Sequence, residues 1–440
     1  MEIKMKARRT ELEISYNGKN VTTELAEKST SFSYTDEDSG SADSISLKIP
    51  DRNRQWISAW MPAKGDSIDV KLKVYDWTAD GDTKELDCGN FVIDEISISG
   101  FPISLSINGV SSPADTEFNS TQRTQTWEKV TLKNIAEKIC KRCGLNLIFD
   151  GTDITIKSQE QSSATDCSFL TSLCESYGLY LKIYSKKLVI FDREKYKAKD
   201  VAGKIPVENM ESMSWKTDIA GTYTGGEAAY TNSKTGKDIK FSVGSGPRIY
   251  KMNEKLDSKS EAELKLNAAI NKANHDMTTL SCKTIGNPVF VATQNVLVTG
   301  LGNLSGKYYI NSVSHTAGSD GYTTSYELSL VESGTNAVYE DACDRLGSVG
   351  VSDTPGYWKL HYKEVKYLDQ LILNLSARIK ENHNGTWCVN VNDAIQLLYE
   401  QGVINTPEYW LKHYTDLTYL GKLMINAANA LRSNEEYGSD

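Results

Sequence analysis

Proline is scarce in this chain, 9 in 440 residues, which argues against long unfolded linkers. No apolar run approaches the roughly 20 residues a membrane helix needs. The stretch Met1 to Glu11 is charged and has no apolar core, so no secretory signal is visible. Folding in the cytoplasm is therefore expected, with any release by a route other than general export. A dense Lys/Arg block is also missing. The 49 basic residues against 58 acidic ones leave a net charge of −9, which disfavours contact with nucleic acid.

Chemical motifs are as sparse. The five histidines, His275, His315, His361, His383 and His413, show no H-E-x-x-H spacing. There is no G-x-S-x-G elbow and no P-loop. The acidic pairs are too numerous to single out a glycosidase dyad. Gly300 to Gly306 superficially resembles a dinucleotide loop, but Ser305 stands where the third glycine belongs and Lys307 to Ile310 reads as a strand, so a hairpin loop is expected. The eight cysteines are dispersed, which excludes a disulfide framework of the small secreted kind. Cys140 and Cys143 form a lone C-x-x-C on the apolar side of a helical pattern and read as buried thiols. No catalytic residue, metal site or cofactor is expected, and the chain is read as a non-enzyme.

What the chain does have is alternation. Ile45, Leu47 and Ile49, then Ile68, Val70, Leu72 and Val74, then Ile103, Leu105 and Ile107 each alternate with polar residues, the period of a half-buried strand. Tyrosine is abundant, 23 against 9 phenylalanines, and suits half-buried strands and wet interfaces. Residues 1–112 are expected to form an antiparallel barrel or sandwich. Residues 113–208 read as an α+β unit. Thr131 caps a helix that Gly144 stops, a second helix ends at Gly178, and a hairpin turns at Ser185 and Lys186. Residues 209–335 return to strands, including a turn at Asn232 to Gly236. One helix interrupts them, with Ser258 and Glu261 as its capping box.

Residues 336–440 carry an internal repeat. Thr354-Pro355-Gly356-Tyr357-Trp358 recurs 52 positions later as Thr406-Pro407-Glu408-Tyr409-Trp410. At the same offset His361 matches His413, Asn374 matches Asn426, and Gly350-Val351 matches Gly402-Val403. Each unit reads as paired helices with a Thr cap and Pro at the first helical position. Val365, Leu368, Leu371, Ile372 and Leu375 share one face, repeated by Leu417, Leu420, Leu423, Met424 and Ala427. Tyr357, Trp358, His361, Tyr409, Trp410 and His413 are candidate partner or cell-wall contacts. Their aromatic rings suit sugar stacking, but at helical spacing such residues are more often core.

Four stretches in order resemble the phage tail and baseplate hub family of the late control protein D type. They are Ile103 to Thr124 (ISLSINGVSSPADTEFNSTQRT), Trp127 to Gly144 (WEKVTLKNIAEKICKRCG), Gln161 to Asp192 (QSSATDCSFLTSLCESYGLYLKIYSKKLVIFD) and Gly302 to Val331 (GNLSGKYYINSVSHTAGSDGYTTSYELSLV). The resemblance implies a mainly β fold with α+β: two tube-protein-like β-barrels flanking an α+β domain. To this the sequence adds a C-terminal all-α repeat module. It also implies a homotrimer that joins a hexameric tail tube to the spike and other baseplate proteins, in a phage or a contractile, phage-tail-like bacteriocin released by lysis. The repeats depart from that pattern and resemble repeats of clostridial phage tail and amidase proteins. Through them the chain is expected to meet a tape measure protein or peptidoglycan, and the alternative reading is a tail-associated host-recognition protein that binds the cell wall.

Overall fold

A computed structural model describes the chain apart from residues 1–6, 23–30, 78, 112–116, 232–237, 255, 257, 320, 334–341, 344–345, 348–349, 352–367, 382–389, 414–422, 425, 428–429 and 431–440. The chain divides into two compact units. One comprises Met1–Ala202, Met210–Asn295 and Tyr309–Leu330; the other Gly203–Asn209, Val296–Tyr308 and Val331–Asp440.

The first unit is built on a large, mainly antiparallel sheet. Its early strands are β1 (Arg9–Tyr16), β2 (Lys19–Asn20), β3 (Ser31–Glu37), β4 (Ser44–Pro50), β5 (Ser67–Tyr75), β6 (Thr83–Ser99) and β7 (Ser104–Val110). Period two governs them: in β5 the side chains of Ile68, Val70, Leu72 and Val74 are fully buried, while those between are half-buried.

An insert follows. Short helix α1 (Glu117–Ser120) leads into β8 (Gln122–Thr131), which pairs with β10 (Thr155–Thr165). Between them lie α2 (Leu132–Cys143) and β9 (Asn146–Asp150). Then come α3 (Asp166–Ser176), β11 (Leu179–Tyr184), β12 (Lys187–Asp192) and α4 (Arg193–Lys197). β12 is central, antiparallel to β11 and parallel to β9. Thr131 caps α2 by accepting from Asn134 N at 3.2 Å, and Gly144 ends it at φ +67°. Ser185 and Lys186 both take positive φ in the β11–β12 turn, which right-twisted strands favour. Cys140 and Cys143 lie in the apolar core of this insert, and burial pushes the Cys140 thiol up to about 12.

After β13 (Val201–Pro206) the later strands are β14 (Met210–Thr217), β15 (Gly225–Thr231), β16 (Asp238–Gly244) and β17 (Ile249–Met252). Helix α5 (Lys259–Asn274) is capped by Ser258, whose hydroxyl accepts from Glu261 N at 3.1 Å. Leu266 and Ile270 of α5 pack with Ala228 and Met252. β18 (Thr278–Ile285), β19 (Asn295–Thr299), β20 (Gly306–Gly318) and β21 (Gly321–Ser333) follow. The Gly300 to Gly306 segment is thus the link between β19 and β20, as expected of a hairpin loop, and the turn at Asn232 to Gly236 lies outside the described residues.

The main strand path runs β14-β18-β21-β20-β3-β4-β7-β6-β5-β1-β2. Strands from 1–112 and 209–335 therefore meet in one hydrogen-bonded sheet. The junction is β20 against β3, antiparallel from Ser312↔Glu37 to Gly318↔Ser31. The core beneath the early strands includes Ala317 and Tyr322 from the late ones.

In the second unit α6 (Leu368–Glu381), α7 (Val391–Glu400) and α8 (Pro407–His413) are described. Leu371, Ile372, Leu375, Leu423, Met424 and Ala427 are buried together with Trp410. Val365, Leu417 and Leu420 lie outside the described residues, as does the Thr354-Pro355 helix start. Its counterpart is visible: Pro407 opens α8, and the Thr406 carbonyl accepts from Tyr409 N at 3.1 Å.

Candidate functional site

Three groups of residues stand out, two in the first unit and one in the second. The first is a buried acidic seam on β3 and the β3–β4 link. Asp36, Asp38 and Asp43 are all buried. Lys182 of β11 brings its Nζ to the Asp36 carboxylate, the Glu37 carbonyl and, at 3.0 Å, Asp43 Oδ1. Asp36 Oδ2 also accepts from Ala292 N at 2.8 Å. Arg193 donates Nε–H to Asp38 Oδ2 at 3.0 Å, and its guanidinium lies 3.5 Å from the Tyr180 ring centre. Burial pushes the Asp43 carboxyl up to about 7, with Lys182 opposing. Burial works against the Lys182 charge too, yet the flanking Asp36 and Asp43 outweigh it and hold its pKa above the usual lysine range. Such a seam fixes the insert hairpin to the sheet, because each buried charge loses more by parting from its partner than it gains in packing.

The histidines here serve the core. His315 is fully buried between Tyr34 and Tyr322, 2.8 Å from the Tyr322 hydroxyl, and burial lowers its pKa to about 4. Burial likewise lowers His275 to about 3. Among the described residues no cluster of three or more His, Cys, Asp or Glu could hold a metal ion.

The second group is exposed. At the tip of the β6–β7 hairpin Phe101 is 88% exposed. Among the described residues, β5 pairs with β6 as far as Ser67↔Val92, and residues 95–99 of β6 pair with β7 alone. β14 is the other end of the strand path, paired with β18 alone among the described residues. Between β4 and β5, the Asp51 carboxylate accepts from Gln55 N at 2.8 Å and Ile57 N at 3.1 Å. That turn presents Trp56, Trp60 and Met61 around an apolar cavity of about 360 Å³ closed by Tyr16 and Val21.

The third group lies in the second repeat. Tyr409 is half-buried, Trp410 is 5% exposed and His413 is exposed. Tyr409 stacks on His413 at 4.7 Å and meets Trp410 edge to face at 5.9 Å. Trp410 therefore belongs to the core, and the accessible aromatic surface is the Tyr409–His413 pair. Tyr357, Trp358 and His361 lie outside the described residues. Asn405, Thr406, Tyr409 and Asn426 line a cavity of about 310 Å³ floored by Val403, Ile404 and Leu423. The sequence signal for Asn426 was its match to Asn374 across the repeat. Lys182, Arg193 and the Trp56–Met61 turn gave no such signal, since a lysine in an alternating strand reads as solvent-facing.

No family model matches the sequence, and none of the curated proteins matches it. Solved structures do. The 43 kDa tail protein of prophage MuSo2 from Shewanella oneidensis is similar at TM-score 0.57 and 14% identity, covering 73% of this chain and 99% of that one. The tail protein from Neisseria meningitidis MC58 is similar at TM-score 0.56 and 13% identity, covering 73% of this chain and 96% of that one. Both are matched almost end to end, whereas a sizeable part of this chain has no counterpart in either. At these identities the likeness is one of fold, and it agrees with the hub resemblance carried by the sequence.

Proposed function

From this tail-protein fold we propose that the chain is a structural, non-enzymatic hub of a phage tail or phage-tail-like particle. Three copies close a ring that couples a hexameric tube to the spike and other baseplate proteins. Two barrel-like strand sets per chain, 1–112 and 209–335, offer a six-fold tube six similar units when three chains assemble. The chain is made in the bacterial cytoplasm, built into the particle and set free by lysis.

The observation that carries this reading is the β3–β20 junction. It ties the early and late strand sets into one sheet, and an adaptor between two rings needs such fixed spacing. Two sheet edges without a strand partner among the described residues, residues 95–99 and β14, support it further. They are unlike edges, and unlike surfaces joined head to tail build rings when the rotation closes. The exposed Phe101 beside the first edge supplies an apolar anchor of the kind that dominates interfaces.

Native mass measurement tests the proposal. Three copies of the 48.8 kDa chain are expected, alone or with the tube protein of the same particle. A monomer under both conditions overturns it.

A further inference from the structure

The two sheet edges without a strand partner among the described residues match each other in direction, face and register. Neighbours along the strand path from β14 to β6 run antiparallel, with β20 and β21 consecutive and joined by a short turn. Seven junctions separate β14 from β6, so the two edges point in opposite directions. Rotation about a ring axis keeps the sense of each strand along that axis. Residues 95–99 of one copy therefore meet β14 of the next antiparallel.

Both edges keep their apolar residues on the core face. Ile96 and Ile98 lie beside Ile107 and Leu105 of β7, which are buried. Trp215 and Met213 lie beside Leu280 and Cys282 of β18, also buried. Ile98 is 44% exposed and Met213 40%, so each apolar row runs out to an open edge. The other face is polar on both strands, with Glu95 and Ser97 on one and Ser214 and Lys216 on the other, all exposed.

A strand added to an open edge pairs its free N–H and C=O groups, and a shift of one residue would turn its apolar row to the wrong face. Setting Ile98 opposite Met213 brings core face to core face. The same register sets Ile96 opposite Trp215, Ser97 opposite Ser214 and Glu95 opposite Lys216. Shifts of two residues keep the face and lose the match: one sets Ile98 against Glu211, the other Glu95 against Asp218. Apolar and opposite-charge pairs stabilise directly opposed positions, and like charges do the reverse. Glu95 accepts from Asn108 Nδ2 at 2.9 Å, and Lys216 Nζ lies 3.6 Å from Asp218. Both contacts are exposed and leave each charge open to a second partner.

We infer that residues 95–99 of each copy add as a strand to β14 of the next, antiparallel, with Ile98 opposite Met213 and Glu95 opposite Lys216. This contact rests on the ring proposed above and names the surface that closes it.

Crosslinking of the full chain, alone and with the tube protein, tests the register. Ser97→Cys with Ser214→Cys, treated with a two-carbon bis-maleimide, is expected to give covalent dimers and trimers on a denaturing gel beyond those of the unsubstituted chain. Glu95→Cys with Ser212→Cys, four residues out of register and so about 13 Å apart, is expected to give none. Glu95→Lys is expected to lower the trimer fraction in native mass spectra, and Glu95→Lys with Lys216→Glu to restore it. In a chain that is trimeric, a 97/214 yield no higher than that of 95/212 overturns the contact and leaves the hub reading in place, and so does a trimer fraction indifferent to Glu95→Lys. A chain that is monomeric both alone and with the tube protein overturns the two together.

Discussion

Asn426 donates its side-chain amide to the carbonyl of Val403 at 3.0 Å, and 52 residues earlier Asn374 makes the same bond to Val351 at 3.1 Å. In each case the asparagine reaches from one helix to the residue after the glycine turn. Gly350 and Gly402 take φ +75° and +71° there. The turn leaves a carbonyl without a helical partner, and the asparagine supplies one.

Removing that clamp leaves a partly buried carbonyl unsatisfied. Asn426→Ala is expected to destabilise the repeat unit by about 1 kcal/mol, and Asn374→Ala by a similar amount. Thermal or urea unfolding followed by helical circular dichroism reads the change. Equal stability of both variants with the wild type would show the clamp to be incidental.

Gly144 and Gly178 end the two insert helices at φ +67° and +77°. A Cβ at 144 meets nothing within 4 Å, whereas one at 178 sits 3.4 Å from the Ala268 Cβ. Gly144→Val therefore carries mainly the backbone cost of a left-handed residue, about 1–2 kcal/mol, and Gly178→Val carries that plus crowding against α5. Urea midpoints for the two variants should fall in that order below the wild type. A Gly178→Val midpoint above that of Gly144→Val would contradict the packing argument.

The seam around Lys182 makes a prediction with a sign in pH. The folded Asp43 carboxyl is raised from 3.8 to about 7. On its own this group favours the folded state fully below about 4, and that contribution is lost as pH rises through about 7. Lys182 is what makes the charged form tolerable. In Lys182→Met the penalty therefore falls on ionised Asp43 and Asp36, and breaking a buried pair this way costs about 3–5 kcal/mol. At pH 5 Asp43 can stay protonated, so the loss should be clearly smaller at pH 5 than at pH 8. Unfolding midpoints at the two pH values, variant against wild type, give the comparison. An equal loss at both would mean that Asp43 does not titrate in this range.

Much of the local structure could be read from the sequence because its causes are local. The alternation from Ile68 to Val74, the Thr131 and Ser258 caps, the glycines at 144 and 178, and the Ser185-Lys186 turn each need only a few neighbouring residues to act. The β3–β20 pairing is different. It joins Ser31–Glu37 to residues 312–318, and nothing within either strand names its partner. Lys182 fails for a related reason: in LYLKIY it occupies the polar phase of the alternation, and only the arrival of Asp36 and Asp43 from another strand turns that face into a buried one. At the repeat site helical spacing suited both tryptophan roles, and burial decided for the core in the case of Trp410.

The repeats carry an apolar core of their own. Among the described residues, the buried members of its apolar cluster lie between Ala342 and Ala427, and the partly buried residues packed on it run to Ala430. Among the described residues the core under the early strands draws on residues from Ile14 to Tyr322. Each apolar core is built from its own stretch of chain, and opening a core to water is the main cost of cutting a chain. Ending the chain after about residue 335 is therefore expected to leave a soluble β-rich protein with an unchanged near-ultraviolet signal from its sheet aromatics. It should still form the proposed ring with the tube protein. A truncated chain that aggregates or loses its tertiary signal would show that the repeats complete the fold of the sheet and that the boundary lies elsewhere.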